Sequence, residues 1–145
     1  MKALVVDSSV AAKWFPPMDT EPLAAHARVI LDRWKAGAVE LVVPDILWAE
    51  LGNILWKCVQ RQRCSSAEAL LVLHLMLDTN LPTVSTDKLL DGAFRIATTH
   101  DRPVYDCLYI ALAQQIGAEV ITADEKLVSA VGGSFPIHSL ATIWN

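Results

Sequence analysis

Short apolar runs alternate with helix-like segments along this chain, and this alternation restricts the possible folds more than any other feature. Apolar stretches predict strands over 2–6, 39–43, around 84, over 119–122 and over 135–138. Helical spacing and capping signals predict helices over 9–15, about 20–36, 45–63, 66–78, 87–99, 105–116 and 124–131. Strands that alternate with helices favour an α/β fold, here a three-layer α/β/α sandwich with a mostly parallel central sheet.

The chain is expected to form one domain over 1–145, because its 145 residues contain no linker, repeat or low-complexity tract. The apolar stretch Ala69 to Leu77 is too short to span a membrane, and no secretory signal is recognisable, so a cytoplasmic protein is expected. Three cysteines, Cys58, Cys64 and Cys107, form no C-x-x-C pair, which favours reduced thiols over a zinc site.

The formal charge of −4 argues against a protein that holds nucleic acid by charge alone. It does not exclude an enzyme that reaches phosphates through divalent cations, because such ions reverse the local field. The hydrophobic content of 53% is high and suggests an apolar surface kept for a partner. That surface could involve Trp48, Leu51, Leu55 and Trp56 with the helix at Ala69 to Leu77, although ordinary core packing explains the same residues.

Two acidic residues each follow a predicted strand and precede a predicted helix. Asp7 follows the run Ala3 to Val6, and Asp124 follows Val120 to Thr122. In open α/β sheets the ligand crevice lies at the carboxyl ends of the strands, where both acids are expected. A helix N-cap explains either residue equally well, with the difference that Ser8 or Ser9 could cap the first helix and leave Asp7 free.

Glu50 lies in a helix that is apolar around much of its circumference, and a glutamate is rarely buried there unless it is paired or binds an ion. Asn53, Lys57 and Arg61 share its face, which could lead from an acidic centre toward cations that bind a phosphate backbone. A solvated polar stripe is the alternative. Asp106, at the start of a helix that includes Ala111 and Ala113, is favoured there as an anion, and capping again explains its position.

The four acids together make a stronger case than any of them alone. Two unpaired carboxylates about 4 Å apart repel each other by roughly 4 kcal/mol at an effective dielectric constant near 20. A converging set therefore needs a cation, and ligands that are all oxygen select Mg²⁺ or Mn²⁺. Such a centre suits the hydrolysis of phosphodiesters.

Four short motifs in this order resemble the PIN-domain family, specifically the VapC-type toxin ribonucleases. They are Val6-Asp7-Ser8-Ser9-Val10, Glu50-x-x-Asn53-x-Leu55, Tyr105-Asp106-x-x-Tyr109-x-Ala111-Leu112-Ala113 and Thr122-x-Asp124-x-x-Leu127. The resemblance covers nearly the whole chain. By position, Asp7, Glu50 and Asp106 resemble the three core acids, and Asp124 resembles the more variable fourth.

The resemblance also implies supporting roles for Ser9, which would orient the first acid, and Thr122, which would precede the fourth; Asn53 is a further supporting candidate. It implies endonucleolytic cleavage of RNA that depends on Mg²⁺ or Mn²⁺, a VapB-like antitoxin as partner, and a homodimer. As a mechanistic hypothesis, Asp7 and Asp106 bind the essential metal, Glu50 completes the site, and Asp124 helps to hold a second ion.

Other protein classes fit less well. A phosphatase of the haloacid dehalogenase kind needs an aspartate two residues after Asp7, where Ser9 stands, and a Rossmann module needs a glycine-rich turn there. A non-catalytic PIN-like module that binds RNA or protein stays open. Several basic residues are candidates for contacts with RNA phosphates, although scattered surface charge also accounts for them: Lys13, Lys57, Arg61, Arg63 and Arg95.

Overall fold

The computed structural model describes residues 2–144 and contains a four-stranded, fully parallel sheet beside a two-stranded one. The strands are β1 (Lys2–Val6), β2 (Val39–Leu41), β3 (Val43–Pro44), β4 (Thr83–Val84), β5 (Glu119–Thr122) and β6 (Ile137–Ser139). The larger sheet has the order β2-β1-β5-β6, and β3 pairs with β4 in the smaller one. Every pair is parallel, as the alternation of strands and helices predicts.

Helices connect these strands and cover the sheet. They are α1 (Ser8–Ala11), α2 (Ala24–Lys35), α3 (Ile46–Gln60), α4 (Ser66–Leu77), α5 (Leu90–His100), α6 (Val104–Ile116) and α7 (Glu125–Val131). Helix α6 is buried without interruption from Cys107 to Ala113 because it packs against β1, β3 and β5 on one part of its surface and against α5 on another. Its small residues Ala111 and Ala113 permit this close packing, as the sequence suggests.

The chain changes direction across the sheet between β1 and β5. It moves from β1 outward to β2, and later returns to place β5 on the other side of β1. In the register of this pair, Val6 lies opposite Ile121, so both strands end at the same edge. Such a switch point forms a crevice at the carboxyl ends of the strands, and ligands of α/β proteins bind in crevices of this kind.

Among the predicted elements whose bounds differ from the observed ones, two have a clear local reason. The predicted strand 39–43 divides into β2 and β3, because the amide of Val42 donates to Leu4 in the larger sheet while that of Val43 donates to Pro82 near the smaller one. The predicted helix 20–36 begins only at Ala24, because Leu23 adopts a left-handed conformation with φ of 68°. The capping box predicted at Ser65 and Glu68 is present.

The prediction of an apolar partner surface on α3 and α4 is partly wrong. Leu51 and Leu55 are core residues, since α3 turns this face toward the interior. Trp56 remains 53% exposed, and α4 exposes leucines that include Leu71 at 67% and Leu75 at 53%. Within residues 2–144, no helix is long and apolar enough to cross a membrane. The three cysteines are free thiols.

Candidate active site

Asp7 follows the last residue of β1 and is the N-cap of α1. Its Oδ1 accepts a hydrogen bond of 3.3 Å from the amide of Val10. The expectation that Ser8 or Ser9 would cap α1 instead is wrong, since the aspartate combines capping with its place at the strand end. Ser9 donates a 2.5 Å hydrogen bond to the same Oδ1.

The other oxygen of Asp7 is held from β5. Thr122, the last residue of that strand, is fully buried and donates a 2.5 Å hydrogen bond from Oγ1 to Oδ2 of Asp7. The backbone also supports the two hydroxyls, because the amide of Ala123 donates to Ser9 and the amide of Asp124 donates to Thr122. Ser9 and Thr122 therefore fix both oxygens of Asp7. The resemblance implies this contact for Ser9, whereas the bond from Thr122 to Asp7 was not predicted.

Burial raises the pKa of Asp7 to about 6, although three hydrogen bonds, from Ser9, Thr122 and the amide of Val10, oppose this effect. The negative charge of Asp106 raises it further. An aspartate that is this costly to ionise in the folded protein is poised to bind a positive ion.

Glu50 projects from α3 and accepts a short hydrogen bond at Oε1 from the hydroxyl of Tyr109 on α6. Burial raises the pKa of Glu50, and the charges of Asp7 and Asp106 raise it as well, against the lowering effect of the Tyr109 hydroxyl. Tyr109 itself is buried, and its pKa is raised by burial and by the charge of Glu50. The tyrosine is therefore a neutral donor that fixes one oxygen of Glu50.

Asp106 lies in the first turn of α6, where it receives a weak contact of 3.5 Å from Nη2 of Arg102. Burial raises the pKa of Asp106 despite this positive neighbour, and the charge of Asp124 adds to the rise. Within residues 2–144, Nε of Arg102 is buried without a hydrogen-bond partner. The guanidinium is thus loosely held beside the acids.

Asp124 is the N-cap of α7, and its Oδ1 accepts hydrogen bonds of 3.0 and 3.2 Å from the amides of Lys126 and Leu127. The capping interpretation therefore holds for this residue. It does not remove Asp124 from the site, since its charge acts on Asp106. Among the described residues, its Oδ2 accepts no hydrogen bond.

The structure thus brings the four acids of the sequence prediction into one electrostatically coupled group. The negative charge of Asp7 acts on Glu50, that of Asp106 acts on both Asp7 and Glu50, and that of Asp124 acts on Asp106. Between Lys2 and Trp144, however, no three acidic, histidine or cysteine side chains already stand at positions that would enclose an ion. The set fits a hard divalent cation in its chemistry, because it consists of half-buried carboxylates with little compensating positive charge.

Not every residue named from the sequence contacts the acidic group. Asn53 is exposed and makes no hydrogen bond among the described residues, so its supporting role stays a prediction. Sequence reasoning gave no role to Tyr109 or Arg102. Tyr109 follows Asp106 by three residues on the same side of α6, and this spacing was the available signal for it. Arg102 precedes the helix, four residues before Asp106, so helical spacing gave no signal for it.

Comparisons with known proteins identify the family of this chain. The family model of the PIN domain matches residues 4–132, which include all four acids. The chain belongs to the PIN-domain family. This PIN domain is 32% identical over 126 residues to a protein named Ribonuclease VapC3 of Pyrobaculum aerophilum, covering 86% of this chain and 91% of the relative.

Two further matches extend the comparison. Exonuclease VapC9 of the same organism is 29% identical over 118 residues, which cover 81% of this PIN domain and 84% of the relative. The crystal structure of DNA-bound VapBC from Salmonella typhimurium superimposes with a TM-score of 0.67 at 16% identity, covering 97% of this chain and 99% of that chain. The last match concerns the fold alone, and it confirms the predicted PIN-like architecture.

Proposed function

We propose that this PIN domain is an endoribonuclease that depends on Mg²⁺ or Mn²⁺ and acts as the toxin of a VapBC-like pair. One observation carries the proposal: burial, together with the negative charge of another of the four acids, raises the pKa of each of Asp7, Glu50 and Asp106. Such an arrangement is costly for the folded protein alone, and a divalent cation offsets the cost.

The residues that would hold the metal are Asp7 and Asp106, with Glu50 and Asp124 completing the site. When bound, a divalent ion supplies a positive charge that stabilises the transition state and favours deprotonation of water. The chain holds the carboxylate oxygens of these acids in place. Ser9 and Thr122 hold Asp7 in one orientation, and Tyr109 holds one oxygen of Glu50.

The names of the two relatives support nuclease chemistry: the first names RNA as the substrate without a mode of cleavage, and the second names removal of nucleotides from chain ends. We favour cleavage within the RNA chain. A closed circular RNA has no ends, so only an endonuclease opens it, and this property makes the circle a decisive substrate.

The proposed partners are a VapB-like antitoxin and a second copy of this chain. The exposed side chains Trp56, Leu71 and Leu75 support the idea of a partner surface, because exposed apolar residues of neighbouring helices favour association. Light scattering of the chain alone, and with the small protein encoded upstream, measures both associations. A chain that stays monomeric and does not bind the upstream-encoded protein would contradict the proposed partners.

The test of the activity uses circular RNA, Mg²⁺ or Mn²⁺, and EDTA in parallel. We expect the native chain to linearise the circle with either metal and to be inactive in EDTA. Asp106→Asn should reduce cleavage at least about 100-fold, since loss of an outer partner of a metal ligand already costs 10–100-fold.

The matched control is Asp101→Asn. Asp101 is exposed and adopts φ of 53°, a conformation that asparagine also tolerates, so this substitution changes a nearby charge without strain. It should leave cleavage unchanged. Full activity of Asp106→Asn, or cleavage that persists in EDTA, would contradict the metal-dependent proposal and favour different chemistry. No cleavage by the native chain with either metal would favour a non-catalytic binding module.

A further inference from the structure

A cavity of about 210 Å³ lies beside the acidic group, and we call it the basic cleft. It begins at Ser9, whose hydroxyl donates to Asp7, and it extends along α3 toward the residues that follow this helix. Its lining comprises Ser9, Ala12, Met18, Glu21, Ile54, Lys57, Cys58, Arg61 and Arg63. The basic cleft is therefore continuous with the candidate active site through one serine.

Positive charge exceeds negative charge in the basic cleft, although the whole chain carries −4. Arg63 contacts the one acid of the lining, Glu21, at 3.0 Å. Lys13 contacts the same carboxylate at 3.5 Å, so Glu21 is shared by two cations. Within residues 2–144, Lys57 and Arg61 have no acidic partner, and both are exposed.

The two basic side chains without an acidic partner lie in a row that begins at Glu50. Lys57 and Arg61 follow Glu50 by seven and eleven residues. These spacings place Glu50 and Lys57 on one face of α3, and Arg61, the C-cap residue, continues that line just beyond the helix. At 1.5 Å per residue the two positions lie roughly 10 and 16 Å along the axis from Glu50. These distances suit phosphates next to the scissile one rather than the scissile phosphate itself.

We propose that the basic cleft binds backbone phosphates of single-stranded RNA that flank the cleaved bond, through Lys57 and Arg61. This inference rests on the proposed nuclease function. An amphipathic peptide is the less suitable ligand, because Ala12 and Met18 of the lining are buried and leave no exposed apolar anchor. Contacts to phosphates position RNA without reading its bases, so all sequences should be affected alike.

The experiment measures binding of a short, fluorescent single-stranded RNA in Ca²⁺, which accepts the same oxygen ligands, over a range of salt concentrations. The double variant Lys57→Gln, Arg61→Gln should raise Kd about tenfold and lower the slope of log K against log salt by about 1.4, or 0.7 for each lost phosphate contact. The affinity for Mn²⁺, measured by calorimetry without RNA, should stay unchanged.

The matched control removes the same charge elsewhere. Arg28 and Lys35 are exposed on α2 and line no part of the basic cleft, so Arg28→Gln with Lys35→Gln tests the effect of net charge alone. We expect this control to bind RNA nearly as well as the native chain. The charge-conserving variant Lys57→Arg, Arg61→Lys should also retain binding, and it separates loss of charge from damage to the fold.

Equal RNA affinity of the double variant and the α2 control would overturn the inference. Loss of binding to the upstream-encoded protein with unchanged RNA affinity would also overturn it, and would assign the basic cleft to an acidic peptide. Failure of the native chain to cut circular RNA contradicts the proposed function instead, and the salt dependence of RNA binding distinguishes the two failures.

Discussion

Thr122 donates a 2.5 Å hydrogen bond to Asp7 although 115 positions separate the two residues in the chain. The bond connects the carboxyl ends of β5 and β1, at the point where the chain changes direction across the sheet. The hydroxyl fixes Oδ2, and Ser9 fixes Oδ1, so the carboxylate is oriented by two different parts of the fold. The orientation of Asp7 therefore depends on the correct pairing of these strands.

Thr122→Val should weaken metal binding and cleavage while the fold persists. Valine has nearly the shape of threonine but lacks the donor, so Asp7 loses one of its fixing bonds. Loss of such an outer partner costs about 10–100-fold in metal affinity or activity. Calorimetry with Mn²⁺ and RNA cleavage measure the loss, and Thr122→Ser, which keeps a hydroxyl, should restore most of it. Native-like metal affinity in the valine variant would disprove the orienting role.

Asp7→Asn should stabilise the metal-free chain at neutral pH. Between the ordinary pKa of 3.8 and the folded value of about 6, the folded chain binds a proton that the unfolded chain has released. The free energy of unfolding therefore falls as the pH rises from about 4 to about 6, by up to about 3 kcal/mol. Asparagine does not titrate in this range, so the free energy of unfolding of the variant does not fall in this way.

Urea unfolding in EDTA at pH 4, 5, 6 and 7 measures this difference. The two proteins should be similar at pH 4, where Asp7 is protonated and neutral, and the variant should be the more stable one above pH 6. Asp101→Asn, at an exposed position, serves as the control and should follow the native curve. A difference that stays constant across this pH range would show that the Asp7 carboxylate is not destabilised by burial.

Tyr109→Phe should lower the affinity for Mn²⁺ about 10–100-fold, because Glu50 loses the hydroxyl that fixes its Oε1. The buried ring remains, so the free energy of unfolding should change by only about 1 kcal/mol. Tyr105→Phe is the matched control, since Tyr105 is 61% exposed on the same helix. A large fall in stability with normal metal affinity would mean that the hydroxyl serves the fold alone.

Arg102→Gln should have the opposite effect on metal binding. The guanidinium lies 3.5 Å from Asp106 and competes electrostatically with a cation there. Its removal should tighten Mn²⁺ binding roughly 3- to 10-fold at low salt, and less at high salt. Arg95→Gln, which removes an exposed cation from α5, is the control. Weaker metal binding by Arg102→Gln would indicate that the arginine organises the acids instead of opposing the ion.

The elements that carry the acids could be predicted from local patterns. Strands β1 and β5 are apolar runs that end at a polar residue, and the helix that bears Asp106 has a sharp start at Pro103. The PIN-like fold and the positions of the four acids follow from these patterns and from the family resemblance. Capping, the competing explanation for Asp7 and Asp124, is also true, because one carboxylate can cap a helix and face the site.

What could not be predicted depends on contacts between distant segments. The donor for Glu50 comes from Tyr109, which sits in a different helix. The division of 39–43 into two strands depends on the partners that Val42 and Val43 find in separate sheets. Likewise, only the packed structure separates the paired Lys13 and Arg63 from the free Lys57 and Arg61. Residue types and spacing contain no information about these partners.

The position of β5 next to β1 also has a consequence for biosynthesis. A ribosome delivers Asp7 115 residues before Thr122, whose hydroxyl orients it, and before the neighbouring strand at 119–122 is complete. Until then the nascent polypeptide lacks the contact that fixes this carboxylate. The proposed nuclease activity can therefore appear only after β5 has been synthesised, which leaves time for a co-synthesised inhibitor to be present when the pocket closes.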